Sequence, residues 1–383
     1  MTENEGGRSI GMQNSLSSSG MDLAGAPPAA AAVAGVSTGP GRGAQAPVHA
    51  PLGDAARPSA EAHGGHPKID MHQHYCAPEW REWAEHHDLI TPQQLPPWAR
   101  LGPEDAIAFM DRAGVATAVL KPMLPARYRS SAQLREAVAI TLRSMIDVVN
   151  AYPGRFSFYA PLFLDDLDAS SWAVRRGLGQ LGAVGVNVTA NYGGVYLGDP
   201  SYDRVFAELN DFSAVVDTHP HHLPGGGGPP GAPTVPGIPN FMCDFLLDTT
   251  RAAVNMISKR TLDRFPDISV ILPHAGGFLP YIATRMQALG RFCDPPVDPA
   301  AVRDHLRRFY YDTAGPMAPA ATLLAQVPAD HILFGTDWPA APADTVTDLA
   351  LPALDADPSF TPEQLQGVLH DNALRLIPQL ATV

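Results

Sequence analysis

Short apolar runs alternate with helix-like stretches eight times between Pro67 and the end of the chain. This alternation is typical of parallel strands joined by crossover helices. Strands are predicted near residues 68–72, 115–120, 156–163, 183–188, 213–219, 268–274, 308–313 and 330–336. Helices are predicted near residues 103–113, 131–151, 168–181, 202–211, 245–264, 278–290, 317–326 and 361–376. Eight strands, each followed by a helix, in about 317 residues predict a (β/α)8 TIM barrel with loop insertions at its catalytic face.

Residues 1–66 differ from the rest of the chain in composition. They contain no Phe, Tyr or Trp and are dominated by Ala, Gly, Ser and Pro. Such a segment cannot bury enough apolar surface to offset the entropy cost of ordering it. The sequence therefore predicts a disordered extension over residues 1–66 and one barrel domain over residues 67–383.

The overall composition excludes several classes of partner. A net charge of -13, with 26 Lys and Arg against 39 Asp and Glu, argues against binding to nucleic acid. The chain has too few lysines for a polybasic membrane patch, and no apolar run of about 18 residues predicts a membrane span. Cys76, Cys243 and Cys293 are odd in number and far apart, so a disulfide framework is not indicated and a cytoplasmic location is predicted.

Polar residues at the ends of four predicted strands are the candidates for a functional site. The first strand runs into His72 and His74, and side chains two residues apart on a strand point the same way, so both can reach one ion. This spacing alone is weak evidence in a chain with 14 His. Three later strands end at His219, His274 and Asp337. Because all strands of such a barrel finish at one face, the five side chains are expected around one mouth.

Two long insertions are expected to shape that mouth. The loop after strand 1 carries Trp80, Trp83 and Trp98, and the loop after strand 5 carries His221, His222 and a glycine run at 225–228. Long loops at this end of a barrel usually face the substrate. For the tryptophans, packing over the rim of the barrel is an equally good interpretation.

Four motifs in this order resemble those of the amidohydrolase superfamily. They are Lys68 to His74 with the following Pro78 to Trp80, then Thr218 to Pro220, then Leu272 to Pro280, and finally Phe334 to Pro339. Within the superfamily, the chain is most similar to aminocarboxymuconate-semialdehyde decarboxylase and the non-oxidative aromatic acid decarboxylases. The resemblance covers residues 67–383.

This resemblance implies one divalent metal ion with four protein ligands, which are His72, His74, His219 and Asp337. Zn²⁺ is the expected ion and Mn²⁺ the alternative, since both accept imidazole and carboxylate ligands. The resemblance also implies that His274 is an acid/base residue beside the ion. Members of the family bind a substrate carboxylate in the neighbouring subunit with an arginine eleven positions beyond this histidine. That position is Arg285, which predicts a homodimer or a higher oligomer.

Two departures from the muconate-semialdehyde enzymes bear on the substrate. Those enzymes carry a further substrate-binding arginine before the helix that follows strand 1, where this chain has Gly102 to Asp105. They also have a tryptophan after the His-Pro pair of strand 5, where this chain has His221. The departures favour a relative that acts on an aromatic or related carboxylic acid.

The function predicted is non-oxidative decarboxylation of a hydroxybenzoate-type, salicylate-type or muconate-like acid, with release of CO2. For an aromatic substrate, Asp337 is the expected proton donor to the ring, while His274 activates water or stabilises the anion. The alternative is a mononuclear metal-dependent hydrolase, such as a lactonase or amidase, and a hydratase of an unsaturated acid is a third interpretation. Strand 4 ends at 185–189 without the lysine that bridges the ions of two-metal members, which weighs against a binuclear hydrolase.

Overall fold

Eight parallel strands form one sheet, and their order in the sheet is their order in the chain. The computed structural model describes residues 67–224, 234–315 and 320–382. The predicted disordered extension at 1–66 and the glycine run at 225–228 lie outside the described residues. The strands are β1 Lys68–Tyr75, β2 Val115–Pro122, β3 Phe156–Pro161, β4 Gly185–Thr189, β5 Val215–His219, β6 Ser269–Leu272, β7 Tyr310–Asp312 and β8 Ile332–Leu333.

The sheet closes into a barrel through hydrogen bonds between β1 and the segment that follows β8. Met71 N donates to the Phe334 carbonyl at 2.9 Å, and His74 N donates to the Trp338 carbonyl at 2.7 Å. Between them, Asp337 N donates to the His72 carbonyl at 2.9 Å. The predicted (β/α)8 barrel is confirmed, and its closure fastens the backbone of Asp337 directly beside that of His72.

Helices surround the barrel and follow the strands in chain order. They are α1 Pro78–His86, α2 Pro103–Ala113, α3 Ser131–Ala151, α4 Leu167–Gln180, α5 Asp203–Asp211, α6 Asp244–Ser258, α7 Thr261–Arg264, α8 Leu279–Leu289, α9 Pro299–Arg308, α10 Ala320–Leu324, α11 Leu351–Asp355, α12 Pro362–Gln366 and α13 Asn372–Leu376. A π-helical segment, Thr345–Ala350, leads into α11, and another, Gly367–Asp371, joins α12 to α13. Among the described residues, no helix is both long enough and apolar enough to cross a bilayer.

The helices differ from the prediction in two respects. The helix predicted over 245–264 is two helices, because Arg260 adopts a left-handed backbone with φ of 52° between α6 and α7. The helices α1, α9 and α11 lie in segments for which no helix was predicted. The start of α9 carries ordinary sequence signals, with the Asp298 side chain accepting from Ala300 N at 2.8 Å and Pro299 at the first helical position.

Two layers of apolar side chains determine where on the barrel a site can lie. One fills the space between the strands and the surrounding helices. The other fills the barrel interior and includes Ile69, Met71, Tyr159, Ile271 and Leu333, all buried. Because the interior is packed, it is not a pore, and a ligand can reach the polar strand ends only from the carboxyl-terminal face of the barrel.

Candidate metal centre and active site

Three side chains, two from β1 and one from the segment that follows β8, point their ligand atoms at one another. His72 Nε2 lies 3.3 Å from His74 Nε2 and 3.2 Å from Asp337 Oδ1, and His74 Nε2 lies 3.0 Å from the same oxygen. With His219, they form a set whose ligand atoms all lie within 4.8 Å of one another. Atoms that share one ion at bond lengths of about 2.0–2.1 Å lie roughly 3 to 3.4 Å apart, so the residues fit a single divalent cation.

Asp70 holds the two segments that carry these ligands. Its Oδ1 accepts from the backbone N–H groups of His72 and Thr336, both at 3.0 Å, and its Oδ2 accepts from Thr336 Oγ1 at 2.6 Å. The side chain is completely buried. Asp70 therefore ties β1 to the turn that presents Asp337, a role that the sequence analysis missed.

Hydrogen bonds to the far side of two imidazoles leave their Nε2 atoms free for an ion. His72 Nδ1 lies 2.8 Å from Asp312 Oδ2, and His219 Nδ1 lies 2.9 Å from the Pro220 carbonyl. Since carboxylate and carbonyl oxygens only accept here, each Nδ1 donates, and Nε2 is the nitrogen of each ring that faces the ion. Asp312 is the last residue of β7 and was not predicted as a site residue, although it is a polar strand end like the others.

Burial and neighbouring charges give these side chains the protonation states that a metal ligand needs. Burial lowers the pKa of His74 to about 4, and burial with nearby imidazoles lowers the pKa of His219 well below its usual value. Burial raises the pKa of Asp337, but hydrogen bonds with His274, His72 and His74 outweigh it and hold that pKa well below its usual value. At neutral pH, two neutral imidazoles therefore face a carboxylate.

Two neighbouring carboxylates favour a positive charge on His72. Burial and the Lys121 ammonium lower its pKa, but Asp312 and Asp337 outweigh both and raise the pKa to about 9. The surroundings of His72 Nε2 therefore favour positive charge. A divalent cation bound at this atom would supply that charge in place of a proton.

His274 lies beside this ligand set without belonging to it. Its Nε2 is 3.5 Å from Asp337 Oδ2, and its backbone N–H donates to Asp312 Oδ1 at 2.8 Å. Within the described parts of the chain, the buried Nδ1 of His274 has no hydrogen-bond partner. The backbone is left-handed at His274 and at Asp337, with φ of 54° and 63°. Left-handed residues other than glycine are uncommon and costly, and they concentrate at functional sites.

Gly335, two residues after β8, lets the backbone of that segment approach the His72 side chain closely. A Cβ at position 335 would lie 2.8 Å from the Cβ of His72. We expect Gly335→Ala to displace the imidazole and to weaken metal binding by about 10- to 100-fold, the range typical of lost ligand orientation. Gly179→Ala in α4 is the matched control, since its Cβ would meet Phe212 at an ordinary 3.6 Å. Metal titration of both apo-proteins measures the difference, and equal affinities would contradict the expectation.

Aromatic side chains stand beside two of the candidate ligands. The Trp98 indole lies 5.8 Å from the His74 ring, and the Phe245 ring lies 6.3 Å from the His219 ring. Both aromatic side chains are half-buried. The other two tryptophans of the loop after β1 pack away from the ligands, because Trp80 is fully buried in the core and Trp83 packs against His87.

Arg285 is not among the side chains that converge at the mouth. It lies on α8, and its side chain is exposed to solvent. Within the described ranges it has no hydrogen bond or ion pair. The same region of the surface exposes Phe278, Tyr281 and Phe292, of which Tyr281 is 82% exposed.

A closed (β/α)8 barrel in which three imidazoles and a carboxylate meet at the carboxyl ends of the strands has the architecture of a metal-dependent enzyme. Comparison with known families agrees. The sequence model described as amidohydrolase matches residues 69–379, and the chain belongs to this family. The resemblance predicted from the four motifs is thereby confirmed.

Relatives named as decarboxylases are among the similar proteins. Decarboxylase yanB of Aspergillus niger is 28% identical over 82% of this chain and 88% of its own length. The 6-methylsalicylic acid decarboxylase acuB of Aspergillus aculeatus is 28% identical over 82% of this chain and 96% of its own length. A solved structure described as an amidohydrolase II superposes with a TM-score of 0.70 at 28% identity, covering 81% of this chain and 99% of that one.

Proposed function

We propose that the protein is a metal-dependent, non-oxidative decarboxylase that releases CO2 from an aromatic acid of the hydroxybenzoate or salicylate type. The observation that carries the proposal is a ligand set for one ion, with His274 beside it, in a chain whose relatives are decarboxylases. The end of β4 supports a single ion. Asn187 there donates to Asp217 Oδ2 at 2.7 Å, and β4 contains no lysine.

The aromatic character of the substrate is supported by the side chains next to the ligands. Trp98 beside His74 and Phe245 beside His219 offer partly exposed ring surface next to two of the proposed ligands. Aromatic rings pair favourably with other rings in stacked or edge-to-face arrangements. An aromatic acid that packs against either of these rings lies next to the ligand cluster, within reach of the proposed ion.

The reaction breaks the bond between the ring carbon and the carboxylate, leaves the electron pair on the ring and replaces CO2 with a proton. A bound divalent cation would hold and polarise a substrate oxygen. Asp337 and His274 move the proton. Because the low pKa of Asp337 keeps it ionised in the free protein, it must take up a proton before donating one. His274 Nε2, 3.5 Å from Asp337 Oδ2, can supply that proton.

Zn²⁺ is the ion we propose, and Mn²⁺ is the alternative. Three imidazoles and one carboxylate suit a catalytic zinc site with an open position, and manganese accepts the same donors. Metal analysis of protein purified without added metal, followed by reconstitution of the apo-protein with each ion, distinguishes the two.

A CO2 assay tests the proposed reaction. Headspace CO2 is measured over a panel of hydroxybenzoates, salicylates and muconate-like acids, and esters, lactones and amides of the same acids are assayed for hydrolysis. The Asp337→Asn variant serves as the blank. Release of CO2 with no change in oxidation state supports the decarboxylase. Acid released from an ester, lactone or amide without CO2 would select a mononuclear hydrolase instead, and water added to an unsaturated acid would select a hydratase.

We propose further that the active form is at least a homodimer, in which Arg285 binds the substrate carboxylate in the neighbouring subunit. The side chain is exposed, and no residue in the described parts of the chain engages it. Tyr281 on the same helix and Phe292 just after it expose their rings, and exposed rings are the kind of surface that an interface between subunits covers. A guanidinium group can bind a carboxylate with two parallel hydrogen bonds.

The extension at residues 1–66 is proposed to be dispensable for catalysis. Its composition lacks the apolar side chains needed to join the barrel core. A truncated chain that starts at Pro67 should keep the turnover and melting temperature of the full chain. Loss of folding or of most activity on truncation would show that the extension takes part in the domain.

A cytoplasmic location remains our proposal on the basis of the cysteines. Cys76, Cys243 and Cys293 are all free thiols. Free thiols without disulfides are typical of proteins kept in a reducing compartment.

A further inference from the structure

A buried lysine lies directly beneath the proposed metal centre. Lys121, near the end of β2, is 1% exposed, although an apolar residue is the usual filling of a barrel interior. Its Nζ is 2.9 Å from Asp217 Oδ1, 3.0 Å from His72 Nδ1, 3.3 Å from the Thr218 carbonyl and 3.9 Å from Asp312 Oδ2. Burying an ammonium group is costly unless its partners are well placed, so this lysine requires an explanation.

The contacts of Lys121 reach both sides of the barrel. His72 comes from β1 and His219 from β5, and these strands lie opposite each other in a ring of eight. The two strands share no backbone hydrogen bonds, yet the centroids of the His72 and His219 rings lie only 5.5 Å apart. Lys121 donates to the carbonyl of Thr218, the residue before His219, and its Nζ also packs against His72 Nδ1, whose own proton goes to Asp312.

We propose that Lys121 is a positioning residue that sets the spacing of His72 and His219 for the metal ion. Its ion pair with Asp217 anchors the ammonium to β5, and Asn187 holds the other oxygen of that carboxylate at 2.7 Å. The ammonium also lies 3.9 Å from Asp312 Oδ2, and Asp312 in turn orients His72 through Nδ1. Groups behind metal ligands commonly change metal affinity by about 10- to 100-fold when they are lost.

The test removes the ion pair as a unit in the full-length chain. Lys121→Met alone would leave Asp217 as a buried carboxylate without its cation, so Lys121→Met is combined with Asp217→Asn, which keeps an acceptor for Asn187. Lys121→Gln, which keeps a donor at the position, is the second variant. The apo-proteins are titrated with Co²⁺, and the visible absorption spectrum reports the coordination geometry separately from the affinity.

Arg155, which directly precedes β3 and contacts the start of β2, provides a matched control at the opposite end of the barrel. It is also a buried cation, 2% exposed, whose Nη2 lies 2.7 Å from Asp111 Oδ1 and whose Nε donates to the Ala116 carbonyl at 3.0 Å. This end of a barrel contributes to stability and not to the site. Arg155→Met should therefore lower the melting temperature of the apo-protein while leaving the affinity for Co²⁺ and its spectrum unchanged.

We expect the double variant to fold, to bind Co²⁺ about 10- to 100-fold more weakly and to show a shifted spectrum, with Lys121→Gln closer to wild type. Wild-type affinity and spectrum in the folded double variant would overturn the proposal. Failure of both Lys121 variants to fold at saturating Co²⁺, while Arg155→Met folds, would also overturn it, because Lys121 would then serve the stability of the barrel. The inference rests on the proposed metal centre but not on the substrate, and absence of Co²⁺ binding by wild-type protein would refute the metal centre itself.

Discussion

Replacing His274 with alanine is expected to lower turnover by about 10²- to 10⁴-fold while the protein keeps near-stoichiometric metal, because a positioned proton-transfer group typically contributes that much. His274 Nε2 lies 3.5 Å from Asp337 Oδ2, and His274 is not part of the four-residue ligand set. The side chain can therefore be removed without removing a ligand. The rate of CO2 release and the metal content per chain, measured on the same preparation, check both halves of the prediction.

Asp337→Asn gives the contrasting result. Asp337 Oδ1 is within 3.2 Å of the Nε2 atoms of both His72 and His74, so this substitution removes the only anion of the ligand set. Metal affinity and turnover should fall together. If His274→Ala were purified without metal, His274 would be a ligand, and if it kept wild-type turnover, its acid/base role would be wrong. His274→Gln repeats the test with a polar side chain of similar volume.

The site residues at the strand ends could be predicted from the sequence because a (β/α)8 barrel places the carboxyl ends of all its strands at one face. His72, His74, His219, His274 and Asp337 lie far apart in sequence, yet each follows an apolar run. In a parallel barrel, that pattern alone brings them to one face. The structure does place these five side chains together, although their chemical roles remain proposals.

The residues that support the ligands were not found, for a physical reason. Asp70, Lys121 and Asp312 are buried polar side chains within or at the end of apolar strands. Their partners lie on strands distant in sequence, such as the contact of Lys121 with Asp217. Sequence shows that a buried charge needs a partner but not which strand supplies it. Asp312 could have been predicted as a site residue, because it is a polar residue at the end of β7, just as Asp337 is a polar residue after β8.

Helix boundaries depended on local signals of unequal strength. Helix α9, Pro299–Arg308, is so polar that apolar periodicity does not reveal it, and only its capping aspartate and N-terminal proline mark its start. The break between α6 and α7 falls at Arg260, with φ of 52°. Left-handed residues are usually Gly or Asn, so an arginine in that conformation gives no warning in the sequence.

Arg285 offers a test of the proposed assembly that does not require knowledge of its structure. Arg285→Ala should lower turnover by about 10- to 100-fold, the loss expected when a charge-assisted hydrogen-bonding partner is removed. Its apo melting temperature should stay near that of wild type, because the side chain is exposed. Arg143→Ala, which removes another exposed arginine on α3, should leave turnover unchanged.

Mixing two impaired variants distinguishes an arginine that acts in the neighbouring subunit from one that acts in its own. When His274→Ala and Arg285→Ala chains are co-expressed with different tags, each mixed dimer pairs an intact His274 on one chain with an intact Arg285 on the other. If Arg285 reaches across, one of the two sites in each mixed dimer is complete. Random pairing then restores about one quarter of wild-type turnover.

If Arg285 instead serves its own subunit, both sites of every mixed dimer carry one defect. Activity then stays at the level of the two parent variants. Isolation of the mixed dimers through both tags raises the expected recovery to about half of wild-type turnover, since only dimers with one complete site remain. A fully active monomer at assay concentration, established by sedimentation, would refute the assembly outright, because an exposed arginine on α8 would then have no neighbouring mouth to reach.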